Sequence, residues 1–250
     1  MRGNQQITTA MILAAGFGTR MKEMGKDTPK ALLPLDHLTP LDISIQKLQK
    51  AGIQKIVINL HYLGAMIKEH LEKKNYRDLQ IIFSEEKEIL GTGGGIANAK
   101  QYFKEETILV VNSDILSDFS FMDLMKNHYL KNPLASMAVW PSRNSQEYAL
   151  LLFNKKEQLV DILPKSSKID SHQQTGIFMG YHILTPQARS YLKPIFSSVV
   201  EDFYRPALRQ GRKIAVYPHH GIWIDLGSRE HYFNILERLN QGELNFQQLI

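Results

Sequence analysis

A glycine-rich loop that follows a short apolar run is the first place where this chain could do chemistry. The run at 10–15 ends in the loop 16–19, which reads Gly-Phe-Gly-Thr, and Arg20 follows directly. Glycines let the backbone approach a ligand closely and let successive N–H groups point at phosphate oxygens. The stretch therefore predicts a loop that binds phosphate.

Two common phosphate-binding patterns do not describe this loop. A dinucleotide-binding loop needs a third glycine or an alanine at the sixth position, where this chain has Met21 preceded by the basic Arg20. The nucleoside-triphosphate pattern G-x-x-x-x-G-K-[ST] occurs nowhere in the sequence. An oxidoreductase that uses the loop for a nicotinamide cofactor is therefore disfavoured.

Two aspartates are the candidate metal ligands. Asp114 closes a buried apolar strand, and Asp225 lies between Ile224 and Leu226. Open α/β sheets place ligands at the carboxyl ends of their parallel strands, which is where we expect Asp114. The alternative for both residues is an aspartate that caps a strand end or a turn. Since they are far apart in the chain, only the fold can bring them together.

The elements that must position these groups alternate between strand and helix in the first half. Strand-like runs at 10–15, 53–60, 79–83 and 107–114 are separated by segments with apolar residues at helical spacing. Such alternation indicates βαβ crossovers and a parallel sheet covered on both faces.

The second half has a different pattern. Strand-like runs follow one another with short connections, and a hairpin is predicted around Asn154–Lys155. Further strands are expected at 176–184 and 213–218, and a closing helix over 232–239. We expect an α/β fold with a Rossmann-like, mostly parallel mixed sheet flanked by helices, and a small antiparallel lobe. The domain prediction is one unit over 1–250, with halves at about 8–135 and 136–250.

An ordered set of motifs resembles the sugar-1-phosphate nucleotidyltransferases, also called NDP-sugar pyrophosphorylases. The motifs span 13–228 and occur in the family's order: LAAGFGTRM, PKALLP, LGTGGGI, VVNSD, TGI and WIDLGS. The segment at 57–71 and the triple glycine at 93–95 are most similar to N-acetylmuramic acid 1-phosphate uridylyltransferases. Mannose-1-phosphate guanylyltransferases are close neighbours of this pattern.

The resemblance implies a glycosyltransferase-A-like nucleotidyltransferase fold and a specific reaction. A sugar 1-phosphate attacks the α-phosphorus of a nucleoside triphosphate, with UTP favoured, and pyrophosphate leaves. The expected product is UDP-N-acetylmuramic acid, made in cell-wall recycling, and the alternative is guanylyl transfer to mannose 1-phosphate or another hexose or heptose 1-phosphate. A non-catalytic nucleotide-sugar-binding regulator is the rival from another class.

The resemblance also implies roles for individual residues. Arg20 and Lys30 would be the catalytic cations, and Asp114 and Asp225 would bind Mg²⁺. Asn112, Lys165, Thr175 and Gly176 would face the sugar. The nucleotide-binding set comprises the first loop and the region around the triple glycine: Leu13, Ala14, Ala15, Gly16, Phe17, Gly18, Thr19, Glu86, Gly91, Thr92 and Gly93. Glu86 could accept a hydrogen bond from the ring N–H of uracil or guanine, or be an ordinary solvated acid.

Composition narrows the function classes further. The 250 residues contain no cysteine, which excludes thiol catalysis and zinc–thiolate or iron–sulfur centres. The net charge is +5, but the basic residues are dispersed among acids. We therefore expect small anionic substrates and no nucleic-acid partner.

The sequence also bears on location and on additional domains. No apolar run is long enough to span a bilayer, and the N-terminal apolar stretch is too short for a signal peptide. We expect a cytoplasmic protein without a membrane partner. Because the motifs fill 13–228, we expect no appended acyltransferase β-helix.

Overall fold

A nine-stranded mixed sheet is the centre of the molecule. The structure, a computed structural model, describes residues 6–16, 27–74, 76, 78–165, 167–170 and 172–250. The strands of this part of the chain are β1 (Thr9–Leu13), β2 (Lys55–Leu60), β3 (Gln80–Glu85), β4 (Ile108–Asn112), β5 (Ile115–Ser117), β6 (Ala135–Pro141), β7 (Leu150–Phe153), β8 (Leu159–Leu163), β9 (Gln174–Leu184), β10 (Ile214–Pro218) and β11 (Trp223–Asp225).

The parallel part of the sheet comes from the first half of the chain, as predicted. The strand order is β10-β6-β9-β4-β1-β2-β3, and β1 pairs in parallel with both β2 and β4. Their carboxyl ends therefore meet at one edge of the sheet. β2 and β3 lie on one side of β1, whereas β4 lies on its other side, so the order in which strands are added reverses at β1. A crevice opens at such a switch point.

The second half completes the sheet in the opposite direction. β9 runs antiparallel to β4 and β6, and its first residues also pair with β7. β7 and β8 form the predicted hairpin. One difference from the expectation is β10, which pairs in parallel with β6.

Helices cover both faces of the sheet. Those of the described residues are α1 (Pro40–Lys50), α2 (Gly64–Lys74), α3 (Gly91–Asn98), α4 (Phe121–Lys131), α5 (Pro186–Arg189), α6 (Arg205–Arg209), α7 (Arg229–Asn240) and α8 (Phe246–Leu249). Successive residues of β1 point to opposite faces: Ile12 packs in one core cluster and Met11 in the other. Burial on both faces explains why the central strands are continuously apolar.

A third core cluster joins the two ends of the chain. Leu33 and Leu35 pack with Leu226 and with Tyr232 of α7. The Tyr232 hydroxyl also donates to the backbone oxygen of Pro34 at 2.7 Å. The closing helix thus holds the segment that carries Lys30 against the segment that carries Asp225.

A two-stranded ladder of β5 and β11 was not predicted. The strands are antiparallel, with Trp223 opposite Ser117 and Asp225 opposite Ile115. Each strand is only three residues long, so neither shows a recognisable alternation in the sequence. In the part of the chain that the structure covers, no helix is long and apolar enough to cross a membrane.

Because two histidines are buried, we predict that the folded protein loses stability in acid. Burial lowers the pKa of His182 to about 3 and that of His128 to about 4. In the unfolded chain a histidine titrates near pH ~6.5, so below that pH the unfolded state binds protons that the folded state does not. The two histidines therefore leave the free energy of unfolding unchanged well above pH ~6.5. This free energy decreases as the pH falls from there towards the pKa values of the folded state.

Each of these histidines should cost about 2 kcal/mol of unfolding free energy at pH 5 relative to pH 7. We expect His182→Gln to reduce the difference in unfolding free energy between pH 7 and pH 5 by about 2 kcal/mol. Urea denaturation at both pH values measures this difference. His172→Gln, at an exposed position, is the control. Equal pH dependence in His182→Gln and the wild type would show that His182 does not contribute.

Candidate active site

A cleft of about 190 Å³ opens at the carboxyl ends of β1, β2 and β4. Its walls come from the loop after β1, the Lys30 segment, the start of α3 and the end of β4. The lining residues are Leu13, Ala14, Ala15, Gly16, Lys30, Ala31, Asn59, Ile89, Gly91, Thr92, Asn112, Ser113 and Asp114. The fold thus gathers into one place most of the residues that the sequence assigned to nucleotide and metal.

Some residues of the cleft were not predicted, and some predicted residues lie outside the described structure. Asn59 at the end of β2 and Ile89 before α3 line the cleft, and the sequence predicted no role for either residue. Only the adjacency of β1 and β2 could have indicated Asn59. Phe17, Gly18, Thr19 and the predicted catalytic Arg20 lie outside the described residues.

Lys30 is the cation in the described part of the cleft. It starts a single 3₁₀ turn, Lys30–Leu32, and its side chain is only 14% exposed. Its Nζ lies 3.6 Å from Asp114 Oδ2 and donates to the backbone oxygen of Gly227 at 3.3 Å. One lysine therefore contacts both segments that carry the two predicted metal ligands.

Asp114 and Asp225 are brought together by the β5–β11 ladder. The ladder places Asp225 opposite Ile115, and the N–H of Leu226 donates to the backbone oxygen of Asp114 at 2.9 Å. Burial and the neighbouring Asp225 carboxylate raise the pKa of Asp114, while Lys30 acts in the opposite direction. The fold thus holds two like charges near each other.

This carboxylate pair fits a divalent cation. The Oδ2 atom of Asp225 accepts from the Tyr148 hydroxyl at 2.8 Å, whereas its buried Oδ1 has no hydrogen-bond partner among the described residues. No cluster of three or more potential metal-ligating side chains is found in that same part of the chain. Mg²⁺ commonly uses one or two carboxylates and completes its shell with phosphate oxygens and water.

The triple glycine lets another loop pack against α3. The residues 195–199 run along the first turn of this helix, where Gly93 N donates to Ser197 O at 2.9 Å and Val199 N donates to Thr92 Oγ1 at 3.0 Å. A Cβ on Gly94 would collide with the carbonyl oxygen of Ile195. Gly94 is thus required by backbone packing, independently of any ligand.

Glu86 lies behind the cleft wall and is 5% exposed. Its Oε1 accepts from Asn59 Nδ2 at 2.7 Å, and its Oε2 accepts from the N–H of Leu90 at 2.9 Å. The solvated-acid alternative therefore does not describe this residue. Both carboxylate oxygens of Glu86 therefore accept hydrogen bonds from the protein itself.

A second cavity, of about 240 Å³, adjoins the first. Asn112 lines both cavities, and Asp225 lines only the second. Tyr148 and Trp223 form an aromatic wall, with ring centroids 5.5 Å apart, and Trp140 stacks on Trp223. Most other lining residues are apolar: Ile115, Ala149, Leu151, Ile162, Ile177, Phe178 and Val200.

The residues predicted for the sugar are only partly gathered here. Asn112 lines the second cavity as well as the first. Thr175 lines a separate, open cavity and donates through Oγ1 to the Ser142 carbonyl at 2.6 Å. Gly176 pairs with Pro141 of β6, and Lys165 is exposed just after β8. For all four residues the sugar assignment stays a prediction.

A profile of a known family matches almost the whole chain. The nucleotidyl transferase family aligns with residues 9–242. The chain belongs to this family. The resemblance that the motifs indicated is thereby confirmed at the level of the family, and the sheet with its flanking helices is the expected α/β class.

Curated relatives are similar to this chain at low identity. Mannose-1-phosphate guanyltransferase beta-A of Xenopus laevis is 26% identical over 229 residues, covering 89% of this chain and 62% of that protein. The catalytic subunit beta of Drosophila melanogaster mannose-1-phosphate guanylyltransferase is 25% identical, covering 93% and 63% respectively. This chain therefore spans about three-fifths of the length of these relatives.

Solved structures share the fold. HddC from Yersinia pseudotuberculosis, complexed with GMP-PN, superposes with a TM-score of 0.77 at 24% identity, covering 93% of this chain and all of that one. An apo UDP-glucose pyrophosphorylase superposes with a TM-score of 0.80 at 17% identity, covering 95% of this chain and all of that one.

The carboxylate pair predicts opposite effects of one substitution on stability and on binding. In Asp225→Asn the charge repulsion with Asp114 is removed, so we expect a melting temperature equal to or above that of the wild type. The same change removes one anionic cation ligand. The increase in melting temperature produced by nucleotide with Mg²⁺ should then decrease.

A thermal-shift series with Mg²⁺ alone, UTP alone and both together measures this effect. Asp78→Asn, at an exposed position, is the matched control. An unchanged response of Asp225→Asn to UTP with Mg²⁺ would contradict the assignment of Asp225 to the metal.

Proposed function

We propose that this protein is a sugar-1-phosphate nucleotidyltransferase. The observation that carries the proposal is the junction of the two cavities, where Lys30, Asp114 and Asp225 lie together. The first cavity is lined by residues 13–16 and by the start of α3, and it would hold the triphosphate. The second would hold the sugar 1-phosphate, so that the two reacting phosphates meet at the junction.

The reaction needs alignment and charge neutralisation more than proton transfer. A phosphate monoester has its second pKa near ~6, so at neutral pH the attacking sugar phosphate is mostly dianionic. It attacks the α-phosphorus in line, a P–O bond forms, and pyrophosphate leaves with the electron pair of the broken P–O bond. Holding the two reactants in this geometry lowers the barrier by removing translational and rotational freedom before the reaction, and fixed charges stabilise the charge that develops.

The charged groups at the junction would divide this work. Lys30 is nearly buried, so its charge acts on phosphate oxygens with little screening by water. Asp114 and Asp225 would bind Mg²⁺, which when bound neutralises phosphate charge and orients phosphate oxygens. Tyr148 and the β5–β11 ladder hold Asp225 in place for that role.

The second cavity supports an acceptor that carries apolar substituents. Hydroxyl groups that face hydrocarbon walls would lose their hydrogen bonds to water without replacement. N-acetyl and lactyl groups present methyl groups to the same walls. This lining, together with the resemblance of 57–71, supports N-acetylmuramic acid 1-phosphate as acceptor and UTP as donor.

Guanylyl transfer is the second candidate, favoured by a different observation. The curated relatives from Xenopus and Drosophila carry the name mannose-1-phosphate guanylyltransferase. Mannose 1-phosphate is smaller and carries only hydroxyl groups. The two candidates therefore differ in both donor and acceptor, which allows one experiment to separate them.

Pyrophosphate release measured over a matrix of donors and acceptors tests the proposal. We expect turnover with UTP, Mg²⁺ and N-acetylmuramic acid 1-phosphate, and at least tenfold lower kcat/KM for GTP with mannose 1-phosphate. The reverse preference would establish the guanylyl candidate. No turnover with any sugar 1-phosphate and any common triphosphate would overturn the reaction class.

Removing the buried cation should impair turnover strongly. We expect Lys30→Met to lower kcat by about 100-fold, because one preorganised charge at the reacting phosphates is lost. Lys87→Met, at an exposed position, is the control and should retain wild-type kcat. A kcat within threefold of the wild type in Lys30→Met would exclude Lys30 from the reaction.

A further inference from the structure

A chain of three hydrogen bonds crosses behind the nucleotide cleft. The N–H of Ala14 donates to Asn59 Oδ1 at 2.8 Å, Asn59 Nδ2 donates to Glu86 Oε1 at 2.7 Å, and the N–H of Leu90 donates to Glu86 Oε2 at 2.9 Å. Asn59 is 3% exposed and Glu86 5% exposed. The chain thus links the loop after β1 to the start of α3.

The two linked segments are the opposite walls of the cleft. Ala14 belongs to the glycine-loop wall, and Leu90 directly precedes Gly91 and Thr92 of the other wall. Gly95 makes room for the link, since a Cβ there would lie 2.7 Å from Glu86 Oε1 and 2.8 Å from Asn59 Nδ2. The distance between the walls therefore depends on the Asn59–Glu86 pair.

The direction of the hydrogen bonds determines which side chains can form this link. Both ends of the chain are backbone N–H groups, which can only donate. The two side chains between them must therefore offer three acceptor atoms and one donor. An amide supplies one donor and one acceptor group, and a carboxylate supplies two acceptor oxygens, so one amide and one carboxylate satisfy every bond.

We propose that Asn59 and Glu86 are positioning residues that set the separation of the two walls of the nucleotide cleft. This inference rests on the proposed function for the identity of the ligand, but the hydrogen-bond chain exists without it. Glu86 then acts through the backbone of Ala14 and Leu90 and not by contact with the base. This differs from its predicted role of accepting a hydrogen bond from uracil or guanine.

One isosteric substitution separates the two roles. In Glu86→Gln the introduced amide must direct its NH₂ group at either the Leu90 N–H or the Asn59 NH₂, so two donors face each other. We expect nucleotide binding about tenfold weaker, because a buried donor loses its acceptor. If Glu86 contacted the base, the glutamine oxygen could still accept from the ring N–H, and the affinity should be largely preserved.

A second substitution should restore the chain. In the double variant Asn59→Asp with Glu86→Gln, the introduced aspartate accepts from Ala14 N–H and from the introduced glutamine, whose oxygen accepts from Leu90 N–H. The net charge equals that of the wild type. Asn59→Asp alone places two carboxylates against each other and should weaken binding. A base contact by Glu86 gives no reason for the double variant to recover.

Four proteins are compared: the wild type, Glu86→Gln, Asn59→Asp and the double variant. Calorimetry measures the affinity of each for UTP with Mg²⁺ and for GTP with Mg²⁺, and thermal unfolding gives the melting temperature of each. Glu85→Gln, the exposed neighbouring acid that pairs with Lys68, is the matched control. We expect Glu86→Gln to melt about 4 °C lower than this control. The double variant should recover to within about threefold of wild-type affinity.

Steady-state kinetics add a readout that a general loss of stability would not produce. The KM for the nucleotide should rise in Glu86→Gln, while the KM for the sugar phosphate stays within twofold. Wild-type affinity in Glu86→Gln overturns the proposal, as does a double variant that fails to fold or binds no more tightly than Glu86→Gln. Absence of turnover in the wild type would instead refute the proposed function. The two failures can be distinguished, because the affinity and melting measurements do not depend on turnover.

Discussion

Two like charges held near each other are the constraint on which the rest of the site depends. The carboxylates of Asp114 and Asp225 repel, and burial together with this repulsion raises the pKa of Asp114. The backbone bonds of the β5–β11 ladder and the bond from Leu226 N–H to Asp114 hold them there nonetheless. Such an arrangement is stable only when a cation is near. Lys30 supplies one positive charge, and a divalent ion would supply more.

The closing helix and its core cluster make this constraint possible. α7 packs against Leu226, next to Asp225, and Tyr232 of the same helix bonds the backbone at Pro34, close to Lys30. The first and last parts of the chain are therefore fastened together directly beneath the acid pair. Neither half of the molecule contains the site alone, because β5 comes from one half and β11 from the other.

The first cavity is organised by a different physical principle. Backbone groups form both walls of the cleft, and the side chains of Asn59 and Glu86 satisfy the buried donors behind them. In the second cavity, aromatic and aliphatic side chains form the wall beside Asp225. A cavity backed by this hydrogen-bond network thus meets a mostly apolar cavity at the charged junction of Lys30, Asp114 and Asp225.

The sequence by itself determined the fold class, the family and most residues of the first cavity. The strands of the parallel sheet, the β7–β8 hairpin and α7 lie where the apolar periodicity predicted them, because local pattern and burial coincide there. Only the tertiary structure decided the rest. The β5–β11 ladder is too short to have a pattern, no role was predicted for Asn59 or Tyr148, and the role of Glu86 depends on partners that are distant in sequence. These contacts arise when strand ends and loops from both halves meet, and no local property of the chain encodes such a meeting.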